Sequence, residues 1–147
     1  MSAPSKLKWL DLSFNFLDKI QPDVLAFPEL KTLYLHGNYI YQLEEAKKLG
    51  KLENLISLTL HGNPIEQIPG YRLFVLGIMY SKFGVLKKLD SVVITRKEKE
   101  SCYVWNHHLN TKRTVFPKLE DSKIKRPPQK EDEAKNNEKK GPSGGDN

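Results

Sequence analysis

The chain has a single cysteine, Cys102. An internal disulfide is excluded, and a lone thiol fits a reducing compartment. No run of about 18 apolar residues is present, so no segment reads as a membrane-spanning helix. The opening stretch, MSAPSKLKWL, lacks the apolar core of a secretion signal. Charge of one dominant sign is also missing. The formal net charge is +6, but Lys and Arg are interleaved with Asp and Glu almost throughout, which gives a mildly basic surface and no strong electrostatic signature. There is no Gly-rich phosphate loop with its lysine and no G-x-S-x-G nucleophile elbow. These absences argue against an enzyme.

What the sequence does have is a repeat. LKWLDLSFNFLDKI (7–20), LKTLYLHGNYIYQL (30–43) and LISLTLHGNPIEQI (55–68) share the form L-x-x-L-x-L-x-x-N-x-[LI]-x-x-[LI]. Asn15, Asn38 and Asn63 are spaced by 23 and 25 residues. A period of this size with these fixed letters is the leucine-rich repeat pattern. The two leucines of L-x-L lie two apart, so both point inward from a short strand. Leu10 and Leu12, Leu33 and Leu35, and Leu58 and Leu60 are therefore expected to stack into a core. Each asparagine follows where the chain leaves the strand. Its amide both donates and accepts, so Asn15, Asn38 and Asn63 are expected to form a buried ladder that satisfies turn backbone. QPDVLAF reads as a short turn of helix. LEEAKKLGKLENL reads as a longer one, with Leu43, Ala46, Leu49 and Leu52 at helical spacing. The expected fold is an α/β solenoid of about three repeats, with parallel strands on the concave face and a helical or irregular convex side.

The ends of a solenoid must be covered. After residue 68 a capping region is expected over 69–117. Tyr71, Phe74, Val75, Ile78 and Met79 recur at helical spacing. LKKLD (86–90) supplies a degenerate fourth strand. TRKE (95–98) reads as a capping box that opens a last helix with Cys102, Trp105 and Leu109 inward. The lead of residues 1–6 is too short and polar to cover the first strand. An open strand edge invites pairing, so three readings stand: a partner covers it, the chain self-associates through it, or the sequence is a shortened form of a longer one. The third is the leading expectation. The tail, 118–147, carries eight basic and seven acidic residues and almost no apolar ones. It is expected to be a disordered, solubilising segment and no basic nucleic-acid arm.

The asparagine-proline of the last repeat, the Tyr-Arg helix, the Leu-Asp and the Val/Ile-Thr stretch together resemble the capping motif of intracellular leucine-rich repeat proteins. That class includes phosphatase-regulator-like repeats, a dynein light chain and a splicing-factor subunit. A narrower resemblance to one branch rests on LDLSFN (10–15), LYLHGN (33–38), SLTLHGNP (57–64), GYR (70–72), Val75-Leu76 and Trp105. It covers about residues 7–115. Members of that branch carry more sequence upstream, and here KFGVLKK replaces a shorter connection. The resemblance implies a cytoplasmic, non-enzymatic interaction protein, with an association with cilia or the axoneme.

Three rows of side chains are expected on the concave face. They are Trp9, Thr32 and Ser57; then Asp11, Tyr34 and Thr59, extended by Asp90; then Ser13, His36 and His61. Two aromatics on a polar strand face mark a protein contact, so this face is the expected partner surface. The plainer alternative is a solvated sheet face. His36 and His61 are expected to be stacked neighbours. Zinc needs more ligands than the pair offers, whereas two close imidazoles resist double protonation. The plainest reading is that the histidines are repeat consensus. Asp11, His36 and Ser13 can be drawn as a triad, but their spacing is that of the repeat. No cofactor is expected. His107 and His108 have no partner cysteines. The second candidate surface is the basic cap: Lys87, Lys88, Arg96, Lys97 and Lys99, with Lys82, Lys112 and Arg113 nearby. It suits an acidic, tubulin-like protein or nucleic acid. Against nucleic acid, Glu98 and Glu100 interrupt the run and no stacking aromatics interleave.

Overall fold

The first leucine of each L-x-L centres a three-residue strand in the computed structural model, which describes residues 6–80, 85–111 (side chains to 103) and 118–128. The strands are β1 (Trp9–Asp11), β2 (Thr32–Tyr34) and β3 (Ser57–Thr59). They pair in parallel and in repeat register: Trp9 opposite Thr32 opposite Ser57, and Asp11 opposite Tyr34 opposite Thr59. Leu33, Leu35, Leu58 and Leu60 are fully buried. Leu10 and Leu12 are only partly buried, because β1 is the edge of the sheet.

The return segments follow the sequence reading. A 3-10 turn spans Pro22–Ala26, and Pro at a first helical position needs no N–H partner. Helix α1 (Glu44–Lys48) runs into a 3-10 turn at Leu49–Lys51, burying Leu43, Ala46, Leu49 and Leu52. Pro64–Gln67 is a further 3-10 turn. One buried polar side chain escaped the sequence pattern. Glu45 accepts from the Ile20 N–H at 2.9 Å and from Lys48 Nζ at 2.7 Å, tying the second coil to the first. A buried carboxylate is tolerated only when its lone pairs are met in this way.

The asparagine ladder has two buried rungs, not three. The Asn38 amide donates to Leu12 O and Leu35 O, each at 2.9 Å, and accepts from the Asn15 and Leu17 N–H groups, each at 3.1 Å. Asn63 donates to Leu35 O and Leu60 O at 2.9 and 2.8 Å and accepts from the Ile40 N–H at 3.0 Å. Each one thus staples its own coil to the preceding one. Asn15 is exposed, and among the described residues its side chain reaches only Leu12 O and Ser13 O, β1 being the edge of the described sheet.

At the other end, α2 (Tyr71–Ile78) buries Tyr71, Val75 and Leu76, with Met79 just past it, while Phe74 and Ile78 are half-buried. LKKLD forms β4 (Lys88–Leu89), parallel to β3. An antiparallel β5 (Val92–Val93) follows, which the sequence reading did not include. The two residues between, Asp90 and Ser91, have φ of 54° and 66°. A two-residue turn with both φ positive matches the twist of a hairpin. Helix α3 (Arg96–Thr111) opens with the capping box. The Thr95 N–H donates to Glu98 Oε2 at 2.9 Å, and the Glu98 N–H donates to Thr95 Oγ1 at 3.2 Å. Cys102 is fully buried, and burial pushes its thiol up to about 11. The side chains of Trp105 and Leu109, expected inward, lie outside those described, as do those of His107 and His108.

The tail boundary at residue 118 is corrected. A 3-10 turn forms at Asp121–Lys123, Leu119 packs against the core, and the Arg126 guanidinium lies 5.8 Å from the centre of the Tyr41 ring. Leu119 and Ile124 supply the apolar anchorage that the charged composition concealed. They line a cleft of about 120 Å³ with Tyr41 and Gln42. Residues 1–5 and 129–147 lie outside the described structure. No helix among the described residues is long and apolar enough to cross a membrane.

Candidate partner-binding face

The first concave row is Trp9, Thr32 and Ser57, and the register extends it to Lys88. A residue expected on the basic cap therefore belongs to the concave face. Trp9 is 56% exposed, which for a tryptophan leaves a large apolar area in water.

The second row divides. At β1, Asp11 is exposed, and its Oδ1 accepts from both the N–H and the Oγ of Ser13. These bonds, the side-chain one first, hold the Asp11 carboxyl below its usual range. Tyr34 is half-buried beside it. Further along, the row becomes internal bracing. Thr59 is only 2% exposed, and its Oγ1 accepts from the Leu35 N–H at 3.2 Å and lies 2.7 Å from His36 Nδ1. Asp90 repeats the arrangement one coil later. Its Oδ1 accepts from the N–H groups of Leu60 and His61 at 2.6 and 2.9 Å, and lies 3.4 Å from His61 Nδ1. Thr59 and Asp90 are thus corrected from surface residues to ties between coils.

Asp90 also carries the cap. Its Oδ2 accepts from the Tyr71 hydroxyl at 2.8 Å. Burial, with the Asp90 carboxylate beside it, pushes the Tyr71 phenol far above its ordinary range. Arg72 donates through Nε to Glu98 Oε1 at 2.6 Å, through its terminal nitrogens to Glu98 Oε2 at 3.3 Å and to Leu89 O at 2.8 Å. The forked pair clamps α2 onto α3 and the hairpin. It holds the Glu98 carboxyl below its ordinary value, with the Arg72 bond the largest cause.

The third row, Ser13, His36 and His61, does stack. The two imidazoles are 4.7 Å apart and within 5° of parallel. Parallel rings hold their in-plane lone pairs parallel, so the two cannot converge on one ion. No group of three or more His, Cys, Asp or Glu side chains able to hold a metal is found among the described residues.

The sequence reading missed the aromatic residues that extend this row. Phe14 packs edge-on against His36 at 5.1 Å, and Phe16 stacks with Tyr39 at 6.2 Å. Phe14 is 78% exposed and Phe16 59%. Trp9 meets Tyr34 at 6.0 Å with ring planes at 88°, and Tyr34 lies 5.8 Å from His36. A continuous line of rings therefore crosses the first two coils. Phe14 stands where the other repeats have Gly37 and Gly62, all three with φ between 56° and 72°. A Cβ on Gly37 would meet the Phe14 ring at 2.6 Å, so the glycine makes room for the phenyl. The signal was legible as an aromatic residue at a glycine position, a costly substitution for a left-handed backbone.

Lys87, Lys88, Arg96, Lys97 and Lys99 are all exposed. Arg96 pairs with Glu100 at 3.3 Å in open solvent. Lys82, Lys112 and Arg113 lie outside the described residues.

Residues 5–65 match the Leucine rich repeat family, and this segment is a leucine-rich repeat domain. The narrower branch suggested by the motif run is represented by Leucine-rich repeat-containing protein 51. The mouse protein of that name is 45% identical over 105 residues, covering 71% of this chain and 53% of its own length. The human one is 43% identical over the same shares. The chain spans about half the length of these curated relatives. Among solved structures, a chain of the Drosophila melanogaster SNF/U2A' complex superposes with a TM-score of 0.59 at 25% identity, covering 71% of this chain and 61% of that one.

Proposed function

We propose that the chain is a non-catalytic scaffold that binds a protein partner on its concave face, centred on the first two coils. The observation that carries this is the line of rings from Trp9 through the half-buried Tyr34 and His36 to Phe14, with Trp9 and Phe14 exposed on a rigid sheet. Such aromatics supply large contact area at little entropic cost and are the residues on which interface energy concentrates. Leucine-rich repeat domains are typically binding scaffolds, and a solved relative of this fold was crystallised in a complex.

The second reading is an electrostatic binder of an acidic surface, a tubulin-like protein or nucleic acid, through Lys87, Arg96, Lys97 and Lys99. Its support is that all four are exposed. The two readings separate in a pull-down. The pair Trp9→Ala and Tyr34→Ala should abolish partner recovery, and charge reversal of the four cap residues should spare it. The opposite pattern sinks the concave-face reading.

Location in the cytoplasm, at cilia or the axoneme, is a proposal drawn from the sequence resemblance alone. Proximity labelling in the native cells tests it, and recovery of no axonemal protein would reject it. Self-association through the β1 edge is a further proposal, supported by the place of β1 at the end of the sheet among the described residues. A monomeric mass by light scattering at high concentration would refute it.

A further inference from the structure

At β1 and β2 the concave face places three unlike groups together. Asp11 presents a carboxylate whose Oδ1 is fixed by Ser13. Among the described residues, no hydrogen bond to its Oδ2 and no ion pair to the carboxylate is found. Trp9 lies two residues earlier on the same face of β1, and Tyr34 lies directly across in register. The two rings meet at right angles, 6.0 Å apart. A carboxylate oxygen therefore stands beside two aromatic walls set perpendicular to each other, all on one rigid strand pair.

We propose that this corner receives an arginine side chain of the protein partner. The inference rests on the concave-face reading above and names the chemistry of its anchor. A guanidinium is planar, weakly hydrated and forked. It stacks on aromatic faces and donates in parallel to a carboxylate, so it can satisfy both kinds of wall at once. A lysine ammonium meets the carboxylate as a point charge and is held more tightly by water. An aliphatic anchor would leave the Asp11 carboxylate facing apolar carbon, which costs more than it returns. Charge complementarity also selects the site. The molecule is basic overall, yet this corner carries an anion, so a cationic segment repelled elsewhere is admitted here.

The two tryptophans give the experiment an internal control, since Trp9 lies in the corner and Trp105 in α3. The full chain, labelled with nitrogen-15, is titrated with N-acetyl-arginine amide, N-acetyl-lysine amide and the neutral isostere N-acetyl-citrulline amide. The arginine compound should move the Trp9 indole N–H and the Tyr34 amide in a saturable way and leave the Trp105 indole in place. Asp11→Asn should weaken this by about fivefold, the size of an exposed carboxylate–guanidinium contact. An asparagine there still accepts the Ser13 N–H, so the turn is kept, and an unchanged melting curve checks it. No shift at Trp9, equal shifts with citrulline or lysine, or an Asp11→Asn protein that responds like the wild type would each overturn the inference. The pull-down tells this failure from failure of the wider reading. If Trp9→Ala with Tyr34→Ala loses the partner and Asp11→Asn keeps it, the face binds and the arginine assignment is wrong. If the aromatic pair also keeps the partner, both fall.

Discussion

At the cap, the second concave row ends in Asp90, with four hydrogen-bonding partners: two backbone N–H groups, the Tyr71 hydroxyl and the His61 ring. At the first coil, the same row ends in Asp11, which among the described residues bonds only the residue two positions along. The asparagines repeat the contrast, since Asn38 and Asn63 are buried and Asn15 is exposed. So do the inward leucines: Leu58, Leu60 and Leu89 are sealed, whereas Leu10 and Leu12 are half-covered. Exposed apolar side chains lie at both ends, Trp9, Phe14 and Phe16 at the first coil and Val92, Val93 and Tyr103 at the cap. Among the described residues, one consensus thus gives a braced row end at β4 and an unbraced one at β1. The difference arises because each coil's polar side chains are satisfied by its neighbours, so the last neighbour decides their role.

The largest effect should come from the same letter at different coils. Asn63→Ala strands the Ile40 N–H and the Leu60 carbonyl and leaves the Leu35 carbonyl with Asn38 alone, and should cost about 2–4 kcal/mol in urea unfolding. Asn15→Ala should cost under about 1 kcal/mol, because water replaces its exposed bonds. Equal costs would dissolve the contrast between ends. Next, Arg72→Ala should cost about 2 kcal/mol, a value discounted for a pair whose side chains are 28% exposed on each side. The same variant should change the acid limb. The Glu98 carboxyl is lowered in the fold, so its stabilisation is present above the ordinary glutamate value and is lost as pH falls through the folded one. Melting temperature should therefore fall less steeply below about pH 4.3 in the variant than in the wild type.

The first coil is where stability and binding should part. Phe14→Gly relieves a left-handed backbone and should stabilise the fold by about 1 kcal/mol, while partner recovery falls. Strain retained under an exposed ring is what a binding role predicts. A Phe14→Gly protein that is less stable would instead make the ring a packing element over Gly37. Smallest of all, Trp9→Ala should change stability by less than about 0.5 kcal/mol, measured by calorimetry, because its ring is mostly in water.

The repeat, its register and the capping box were legible because each is a short pattern with a fixed period: L-x-L for the strands, T-x-x-E for α3. Asp90 and Thr59 were placed in the correct row and given the wrong task. Row membership follows from spacing, but whether a side chain faces solvent or reaches back depends on the coil stacked beside it. The β4–β5 hairpin was missed because Asp-Ser is a weaker turn signal than Asn-Gly. Glu45 was passed over because a charged letter on a helix normally marks the solvent face. Leu119 and Ile124 were hidden by their neighbours' charge. Phe14 and Phe16 were the most informative oversight. They sit where the consensus has glycine and a variable residue, so a search for what the repeats share discards them, although what differs between repeats is where a binding face is written.

The central claim is that the aromatic face of the first two coils is the one that meets the partner. Photo-crosslinking reads this directly, with p-benzoylphenylalanine placed at position 14 or at position 97 of the full chain in its own cell extract. The account predicts a partner adduct from position 14 and none from position 97. An adduct from position 97 alone would contradict it and move the interface to the basic cap.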